Sequence, residues 1–256
     1  MLNIQGIYDL LFIDIETVPQ CQHCDLPAEK AKLFFDKISK SVPENFEEEK
    51  LYDQKAGILA EFGKVICIST GYLYTDKAGK THMKLKSICH EDEKILLTMF
   101  IQLVDKYQAV KPRFQFAGHN IREFDIPFLC RRMIINQIML PVYLQIHGAK
   151  PWEVNMVDTL QWWKFGDYKN YTSLHLLANV LGVPSSKDGI DGSMVQEVYY
   201  KQKDLPRIVD YCQRDVVVVA RIIQRFYNLP LLEEGNICIV TPETGMQKLA
   251  AEAQIM

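Results

Sequence analysis

The sequence has no long hydrophobic run, no strong excess of one charge and no regular cysteine spacing. None of its apolar stretches approaches the ~20 residues that a helix needs to cross a membrane, so we expect no membrane contact. The N-terminus lacks the basic and then apolar pattern of a signal peptide, so we expect a cytoplasmic protein. The seven cysteines are an odd number, and most lie in apolar segments: Cys67, Cys130, Cys212 and Cys238. This usage is typical of buried, reduced thiols rather than of a disulfide framework.

The charge balance weakens the interpretation as a nucleic-acid-binding module and leaves an enzyme possible. A formal net charge of −3 gives no global basic field of the kind that drives tight non-specific binding to nucleic acids. Any contact with a nucleic acid must then be local. The 256 residues are enough for one sizeable core, and we find no repeats or low-complexity segments. We therefore expect a single domain over residues 1–256.

The pattern of apolar residues predicts an α/β protein with a mixed central sheet flanked by helices. A helical insertion, about residues 19–63, follows the first strand, and residues 236–256 are too weakly patterned to assign. The expected strands span residues 10–16, 64–75, 80–89, 113–118 and 155–160. The expected helices span residues 27–40, 44–62, 91–108, 124–136, 172–181, 191–201 and 205–227.

Two acidic side chains interrupt the first strand. Asp14 and Glu16 alternate with apolar residues, so both project from the same face of the strand. At an effective dielectric constant near 20, two like charges about 4 Å apart repel by roughly 4 kcal/mol. No Lys or Arg lies in this segment to offset that repulsion. The pair indicates either a cation site or a solvated acidic face.

Two later segments add further polar side chains among apolar ones. In 116–129, Asn120 and Phe124 precede Asp125, which lies near the start of a helix. Taken alone, these residues could be a turn residue, a core residue and a helix N-cap. In 205–227, Tyr211 and Asp215 are four residues apart and share one face of the helix. An aspartate in so apolar a helix is costly to bury unless it is paired or binds a metal.

Together the four acids suit hard cations such as Mg²⁺ or Mn²⁺ rather than zinc. Several carboxylates around shared cations are typical of a two-metal site that cleaves phosphodiester bonds. Asp158, a fifth acid near the end of a predicted strand, is interpreted as structural.

Three segments resemble the Exo I, Exo II and Exo III motifs of the DEDD 3′–5′ exonuclease superfamily. They read F-I-D-I-E-T, G-H-N-I-R-E-F-D-I-P-F-L and Y-C-Q-R-D, in the order of the superfamily. The Exo II segment most resembles the proofreading exonuclease domain of family B DNA polymerases. Tyr211 stands four residues before Asp215, and position 210 is Asp rather than His, which resembles the tyrosine (DEDDy) subtype. The resemblance spans about residues 10–227 and implies an RNase H-like fold in a stand-alone exonuclease.

The resemblance also implies a role for each matching residue. Two Mg²⁺ or Mn²⁺ ions would be held by Asp14, Glu16, Asp125 and Asp215. Tyr211 would orient the attacking water, and Thr17, Asn120 and Phe124 would contact the terminal nucleotide. The implied reaction is hydrolysis of phosphodiester bonds at the 3′ end of single-stranded DNA, which releases nucleoside 5′-monophosphates.

Other interpretations stay open from the sequence. The same chemistry on RNA or on short oligonucleotides is one alternative, since contacts to the 2′-hydroxyl cannot be read from sequence. A non-catalytic nucleic-acid-binding module on the same fold is another. An endonuclease is disfavoured by Tyr211 and by the Asn120 and Phe124 pair. Six basic residues are candidates for phosphate contacts, although solvated surface charge also explains most of them: Arg122, Arg131, Arg132, Lys164, Lys169 and Arg214.

Overall fold

The computed structural model describes residues 4–39, 47–150, 153–167, 169, 171–184 and 190–244. Its centre is a six-stranded sheet in the order β5-β4-β1-β2-β3-β6. β4 and β5 run parallel to β1, β6 runs parallel to β3, and β2 is antiparallel to both of its neighbours. The strands are β1 (Leu10–Pro19), β2 (Gly63–Thr75), β3 (Thr81–Cys89), β4 (Gln115–Gly118), β5 (Met156–Asp158) and β6 (Ile237–Thr244).

Helices cover both faces of the sheet. They are α1 (Ala28–Ile38), α2 (Glu48–Lys55), α3 (Glu93–Val110), α4 (Asp125–Ile135), α5 (Thr159–Lys164), α6 (Leu174–Val180), α7 (Val195–Glu197) and α8 (Leu205–Phe226). A π-helical turn, Val198–Gln202, follows α7. The predicted α/β class is confirmed, with a mixed sheet flanked by helices and further helices after the first strand.

The alternation of side chains along β1 divides the core in two. Leu11 and Ile13 pack with residues of α3 and α4, such as Phe100 and Phe128. The intervening Phe12 packs with α8, for example against Val216. Because successive side chains point to opposite faces, Asp14 and Glu16 continue the set that faces α8.

The segment after β1 contains α1 and α2, which share a small core of their own. Phe34 contacts Tyr52 and Phe62 edge to face, with ring centroids 5.0 and 5.2 Å apart. The prediction of one helix over 44–62 is wrong at its end, because α2 stops at Lys55 and a 3₁₀ turn follows. The chain then folds back so closely that a Cβ on Gly63 would lie 2.6 Å from the Gly57 carbonyl oxygen. Residues 44–46 lie outside the described residues.

Three other boundaries differ from the sequence prediction. The strand expected over 155–160 ends at Asp158, because this side chain accepts hydrogen bonds from the first N–H groups of α5. The helix expected over 191–201 is reduced to α7 and the π-helical turn. Residues 237–244 of the unassigned segment form β6, whereas 245–256 lie outside the described residues.

Two expectations drawn from composition can be compared with the structure. Cys67 and Cys212 are buried and Cys130 is half-buried, but Cys238 is exposed on the edge strand β6, so its predicted burial is wrong. In the part of the chain that the structure describes, none of the helices has the length and apolarity that crossing a bilayer requires.

Candidate active site

The site is a cleft at the carboxyl ends of the parallel strands β1 and β4. Ligands of α/β proteins bind at such an edge because the loops that leave parallel strands meet there. The cleft has a volume of about 740 Å³. Every predicted metal ligand, together with Tyr211, lines it. Its polar and aromatic walls include Asp14, Glu16, Asn120, Phe124, Asp125, Tyr171, Tyr211, Arg214 and Asp215.

β1 supplies Asp14 and Glu16, as their spacing predicts. The pairing of β1 with β2 is irregular between Glu16 and Thr17, where β2 contributes one residue more than β1. Such a bulge bends the strand and redirects side chains, and bulges are frequent beside active sites. Glu16 is 7% exposed. Oδ2 of Asp14 is buried and has no hydrogen-bond partner among the described residues.

The segment after β4 supplies Asp125 through a tightly packed loop. A Cβ on Gly118 would lie 2.9 Å from the Ile13 carbonyl oxygen and still closer to Ile121, so only glycine fits this close approach. Asn120 has φ 64°, a left-handed conformation that asparagine tolerates well. The loop thereby places Asp125 at the first position of α4.

Asp125 is bonded directly to the strand that carries the other acids. Its Oδ1 accepts a hydrogen bond of 3.2 Å from the backbone N–H of Ile15, which lies between Asp14 and Glu16. The side chain is 4% exposed. This contact joins residues from two of the three sequence motifs.

α8 brings Tyr211 and Asp215 to the same cleft, one helical turn apart. The intervening Cys212 is fully buried, and its thiol donates a hydrogen bond of 3.4 Å to the backbone oxygen of Asp14. One side-chain ligand atom each from Asp14, Glu16 and Cys212 lies within 4.8 Å of the other two. The helix is therefore held against β1 at the position of the acids.

Thr17 lies outside this cleft, in an adjoining one of about 430 Å³. The two clefts share Ile15, Glu16, Phe124 and Gly192. The far wall of the adjoining cleft includes Glu49 and Asp53 of α2, so the helices inserted after β1 border the approach to the acids.

The electrostatics of the cleft oppose ionisation of its acids. Burial, then the Cys212 thiol, then neighbouring carboxylates raise the pKa of Asp14 and of Glu16 well above the usual range. Burial raises the pKa of Asp125 to about 7, although hydrogen bonds from backbone N–H groups act in the opposite direction. The pKa of Asp215 is raised by burial to about 6, against a hydrogen bond from Tyr211 and the charge of Arg214.

Tyr211 stays protonated in these surroundings. Burial and the nearby carboxylates, Asp215 foremost, raise the pKa of its phenol far above the usual value. The phenol is thus a hydrogen-bond donor at the edge of the acidic cluster and not a base.

The side chains fit a divalent cation. A buried carboxylate oxygen without a partner among the described residues, acids with raised pKa values and ligand atoms within 4.8 Å of each other all indicate missing positive charge. The carboxylates are the hard oxygen donors that suit Mg²⁺ or Mn²⁺.

Sequence reasoning missed several residues of the site, among them Cys212 and His119. Cys212 lies inside the third motif, but nothing local shows that its thiol reaches β1. His119 lines the cleft, and its ring nitrogens lie 2.9 Å from the Thr159 hydroxyl and 2.9 Å from the Thr172 carbonyl oxygen. Burial lowers the pKa of His119, which favours a neutral ring at neutral pH.

The structural interpretation of Asp158 is supported by its contacts. Asp158 is 1% exposed and accepts hydrogen bonds from the backbone N–H groups of Asn120 (2.9 Å) and Arg122 (3.1 Å). It also caps α5 through the N–H of Leu160. It thereby fixes the loop between β4 and α4 from behind the cleft.

Two of the basic residues suggested for phosphate contacts are used inside the fold. Arg122 donates to the carbonyl oxygens of Val154 and Met156. Arg132 is 4% exposed and pairs with Glu93. Arg214 does line the cleft.

Residues 58–227 match the model of a family described as a predicted 3′–5′ exonuclease related to the exonuclease domain of PolB. No curated protein sequence matches the chain. Among solved structures, the chain is similar to the family B DNA polymerase from the hyperthermophilic archaeon Pyrobaculum calidifontis, with 15% identity and a TM-score of 0.49. That similarity covers 86% of this chain and 24% of the polymerase. Because the family match covers about two thirds of the 256 residues, the chain belongs to this family of predicted 3′–5′ exonucleases.

Proposed function

We propose that the protein is a DEDDy-type 3′–5′ exonuclease that shortens single-stranded DNA with two Mg²⁺ or Mn²⁺ ions. The observation that carries this proposal is the meeting of Asp14, Glu16, Asp125, Tyr211 and Asp215 in one cleft. The three motifs that supply them are far apart in the sequence, and a purely structural role for each would not require them to meet.

Each acid has a role in binding the ions. Asp14, Glu16 and Asp215 would hold one ion, and Asp14 together with Asp125 would support the other. Bound ions would make water more acidic and neutralise the charge that develops on the leaving oxygen. The bond of Asp125 to the Ile15 N–H fixes this carboxylate relative to β1, so the ligands are positioned before substrate arrives.

Tyr211 positions the attacking water through its protonated phenol. Water attacks the terminal phosphorus, the bond to the 3′ oxygen of the preceding nucleotide breaks, and that oxygen takes up a proton. The products are a nucleoside 5′-monophosphate and a strand one nucleotide shorter that ends in a 3′-hydroxyl.

Asn120, Phe124 and Thr17 hold the terminal nucleotides. Phe124 lines both clefts and is suited to pack against a base or sugar, since aromatic contacts bind single strands with little sequence preference. Asn120 Oδ1 is buried without a hydrogen-bond partner among the described residues, so it can accept a bond from the substrate. Thr17 contacts the strand in the adjoining cleft.

The test is hydrolysis of matched DNA and RNA oligomers that carry a label at the 5′ end. With Mg²⁺ or Mn²⁺, we expect a ladder that shortens from the 3′ end of DNA, release of nucleoside 5′-monophosphates, and no cutting of circular single-stranded DNA. The matched control is Asp14→Asn, which we expect to abolish the ladder.

Each contrary result has a definite meaning. A ladder on RNA alone would move the substrate assignment to RNA, and cutting of the circle would indicate an endonuclease. Equal activity of the wild type and Asp14→Asn would point to a contaminating nuclease and favour a binding module.

A further inference from the structure

The face of β2 and β3 that points away from α8 carries an aromatic and basic surface. On this face Tyr72 lies opposite Lys84 and Thr70 lies opposite Lys86 in the strand register. The next pair is Tyr74 and His82, whose rings stack with centroids 5.4 Å apart. Tyr74 is 39% exposed and Lys84 is also exposed. We call these six residues, together with Lys106 and Lys111, the lysine–tyrosine face.

α3 forms one wall of a cleft on the lysine–tyrosine face. The cleft has a volume of about 360 Å³, and its lining includes Thr70, Tyr72, Lys84 and Lys86 from the sheet. Lys106, Tyr107 and Lys111 line it from the end of α3. Tyr72 packs on Tyr107 with ring centroids 5.4 Å apart, which fixes both rings at its base. Lys111 pairs with Asp9 at 2.8 Å.

Positive charge is concentrated around this cleft, although one of its lysines, Lys111, is paired with Asp9. Four lysines meet around one cleft in a chain whose formal net charge is −3. Leu11, whose side chain faces α3, lines this cleft, whereas Asp14 and Glu16 face α8. The basic surface and the acidic site therefore lie on opposite faces of the same sheet.

We propose that the lysine–tyrosine face binds single-stranded nucleic acid at a site separate from the acidic cleft. Lysines neutralise phosphates and release counterions, which supplies most of the affinity of non-specific binding. Tyr74, which is exposed on this face, offers an aromatic platform on which a base can stack. An acidic protein segment would satisfy the lysines but would gain little from Tyr74, so the chemistry favours nucleic acid.

The experiment measures binding of a labelled single-stranded DNA of about 20 nucleotides, longer than the ~4–16 nucleotides that one binding module covers. Fluorescence anisotropy is recorded in EDTA over rising NaCl, so that no hydrolysis occurs. The test variant carries Lys84→Gln, Lys86→Gln and Lys106→Gln. The matched control carries Lys30→Gln, Lys32→Gln and Lys94→Gln, which removes the same charge from exposed lysines of α1 and the start of α3.

We expect the slope of log K against log salt to fall in magnitude by about 2 in the test variant, because each lost phosphate contact contributes about 0.7 for single strands. The control variant should keep the wild-type slope. Tyr74→Ala should weaken binding about tenfold with the slope unchanged, since stacking does not release counterions.

Equal slopes for the test and control variants would overturn the proposal. If the triple lysine variant loses binding, Tyr74→Ala binds like the wild type and polyglutamate competes fully with the DNA, the face would be assigned to an acidic protein instead. Hydrolysis of a dinucleotide is measured separately. If the chain binds DNA through this face but does not hydrolyse the dinucleotide, only the exonuclease proposal is contradicted. If it hydrolyses the dinucleotide but does not bind DNA through this face, only the binding proposal is contradicted.

Discussion

The protein buries carboxylates in two regions and treats them in opposite ways. Glu93, at the start of α3, is 9% exposed and is fully surrounded by donors. It accepts hydrogen bonds from the Arg132 guanidinium, from the Val65 N–H at 2.8 Å and from the Asn136 amide at 2.9 Å. In the cleft, by contrast, Asp14 and Glu16 have acids and a thiol as near neighbours.

This difference in neighbours distinguishes an acid with a structural role from an acid suited to bind a metal ion. Burial of a charge is costly unless it is paired, and the fold pairs Glu93 with a cation of its own. At Asp14 the same cost is left uncompensated by the described residues, which raises the pKa instead. A buried carboxylate therefore indicates a metal site only where the chain supplies neither a cation nor hydrogen-bond donors; Asp158, which pairs with no cation among the described residues but accepts bonds from backbone N–H groups, is structural.

The largest effect on stability should come from the paired region. Arg132→Met leaves Glu93 buried without its cation, and we expect a loss of about 3–5 kcal/mol in the free energy of unfolding, measured with urea. The double variant Arg132→Met with Glu93→Gln should recover part of this loss. A loss below about 1 kcal/mol, the usual contribution of an exposed ion pair, would contradict the view that Arg132 compensates the buried charge of Glu93.

The unpaired region should respond in activity rather than in stability. Asp215→Asn removes one of the proposed ion ligands, and we expect exonuclease activity to fall about 10²–10³-fold, equivalent to about 3–4 kcal/mol of transition-state stabilisation. The same change removes like-charge repulsion, so the metal-free variant should be as stable as the wild type or more so. A marked loss of stability in EDTA would show that Asp215 is structural.

The pH dependence of stability should also differ between metal-free and metal-loaded protein. The folded-state pKa values of about 7 for Asp125 and about 6 for Asp215 exceed the ~3.9 of an unfolded aspartate. Between the pKa of the unfolded aspartate and the pKa values of the folded state, the folded protein binds more protons than the unfolded chain. Its stabilisation is therefore complete below about pH 4 and is lost as the pH rises through 6 to 7.

Mn²⁺ should reverse this trend because it requires the ionised carboxylates. At 100 times its Kd an ion adds about 2.7 kcal/mol, so the rise in Tm should be large at pH 7.5 and small at pH 5. Thermal unfolding with and without EDTA measures both effects. The Asp125→Asn variant, which retains an oxygen for the Ile15 N–H, should show a weaker pH dependence of stability. An unchanged pH dependence would refute the raised pKa of Asp125.

The smallest effect is expected at Tyr211. Tyr211→Phe removes only the phenol that is proposed to position water, so we expect activity to fall about tenfold, or about 1.4 kcal/mol, with Mn²⁺ affinity little changed. Titration calorimetry and initial rates separate the two quantities. A change in Mn²⁺ affinity as large as that of Asp215→Asn would instead make Tyr211 a support for the ion ligands.

Local spacing was enough to pair residues within two of the three segments of the cleft, whereas the site roles of Asn120, Phe124 and Asp125 came from the family resemblance. Alternation along a strand put Asp14 and Glu16 on one face, and a four-residue interval put Tyr211 and Asp215 on one side of a helix. These are backbone periodicities that do not depend on the rest of the fold. The α/β class followed from the same periodicities.

What the sequence could not provide were partners distant along the chain. Arg132 was a candidate for phosphate binding until its contact with Glu93, 39 residues away, was known. The end of the helix expected over 44–62 depends on the close approach of Gly57 and Gly63, and the strand β6 depends on pairing with β3, which is remote in sequence. The hydrogen bond from the Cys212 thiol to the backbone oxygen of Asp14 also joins residues that are distant along the chain.

The hydrogen bonds that assemble the cleft have a consequence for the timing of activity. Ile15 meets Asp125 across 110 residues, and Asp14 meets Cys212 across 198. A nascent chain therefore lacks Tyr211 and Asp215 at the cleft until α8 has been synthesised and docked. Under the proposed function, the chain would stay inactive until α8 has docked, and any partial unfolding that detaches α8 would abolish hydrolysis.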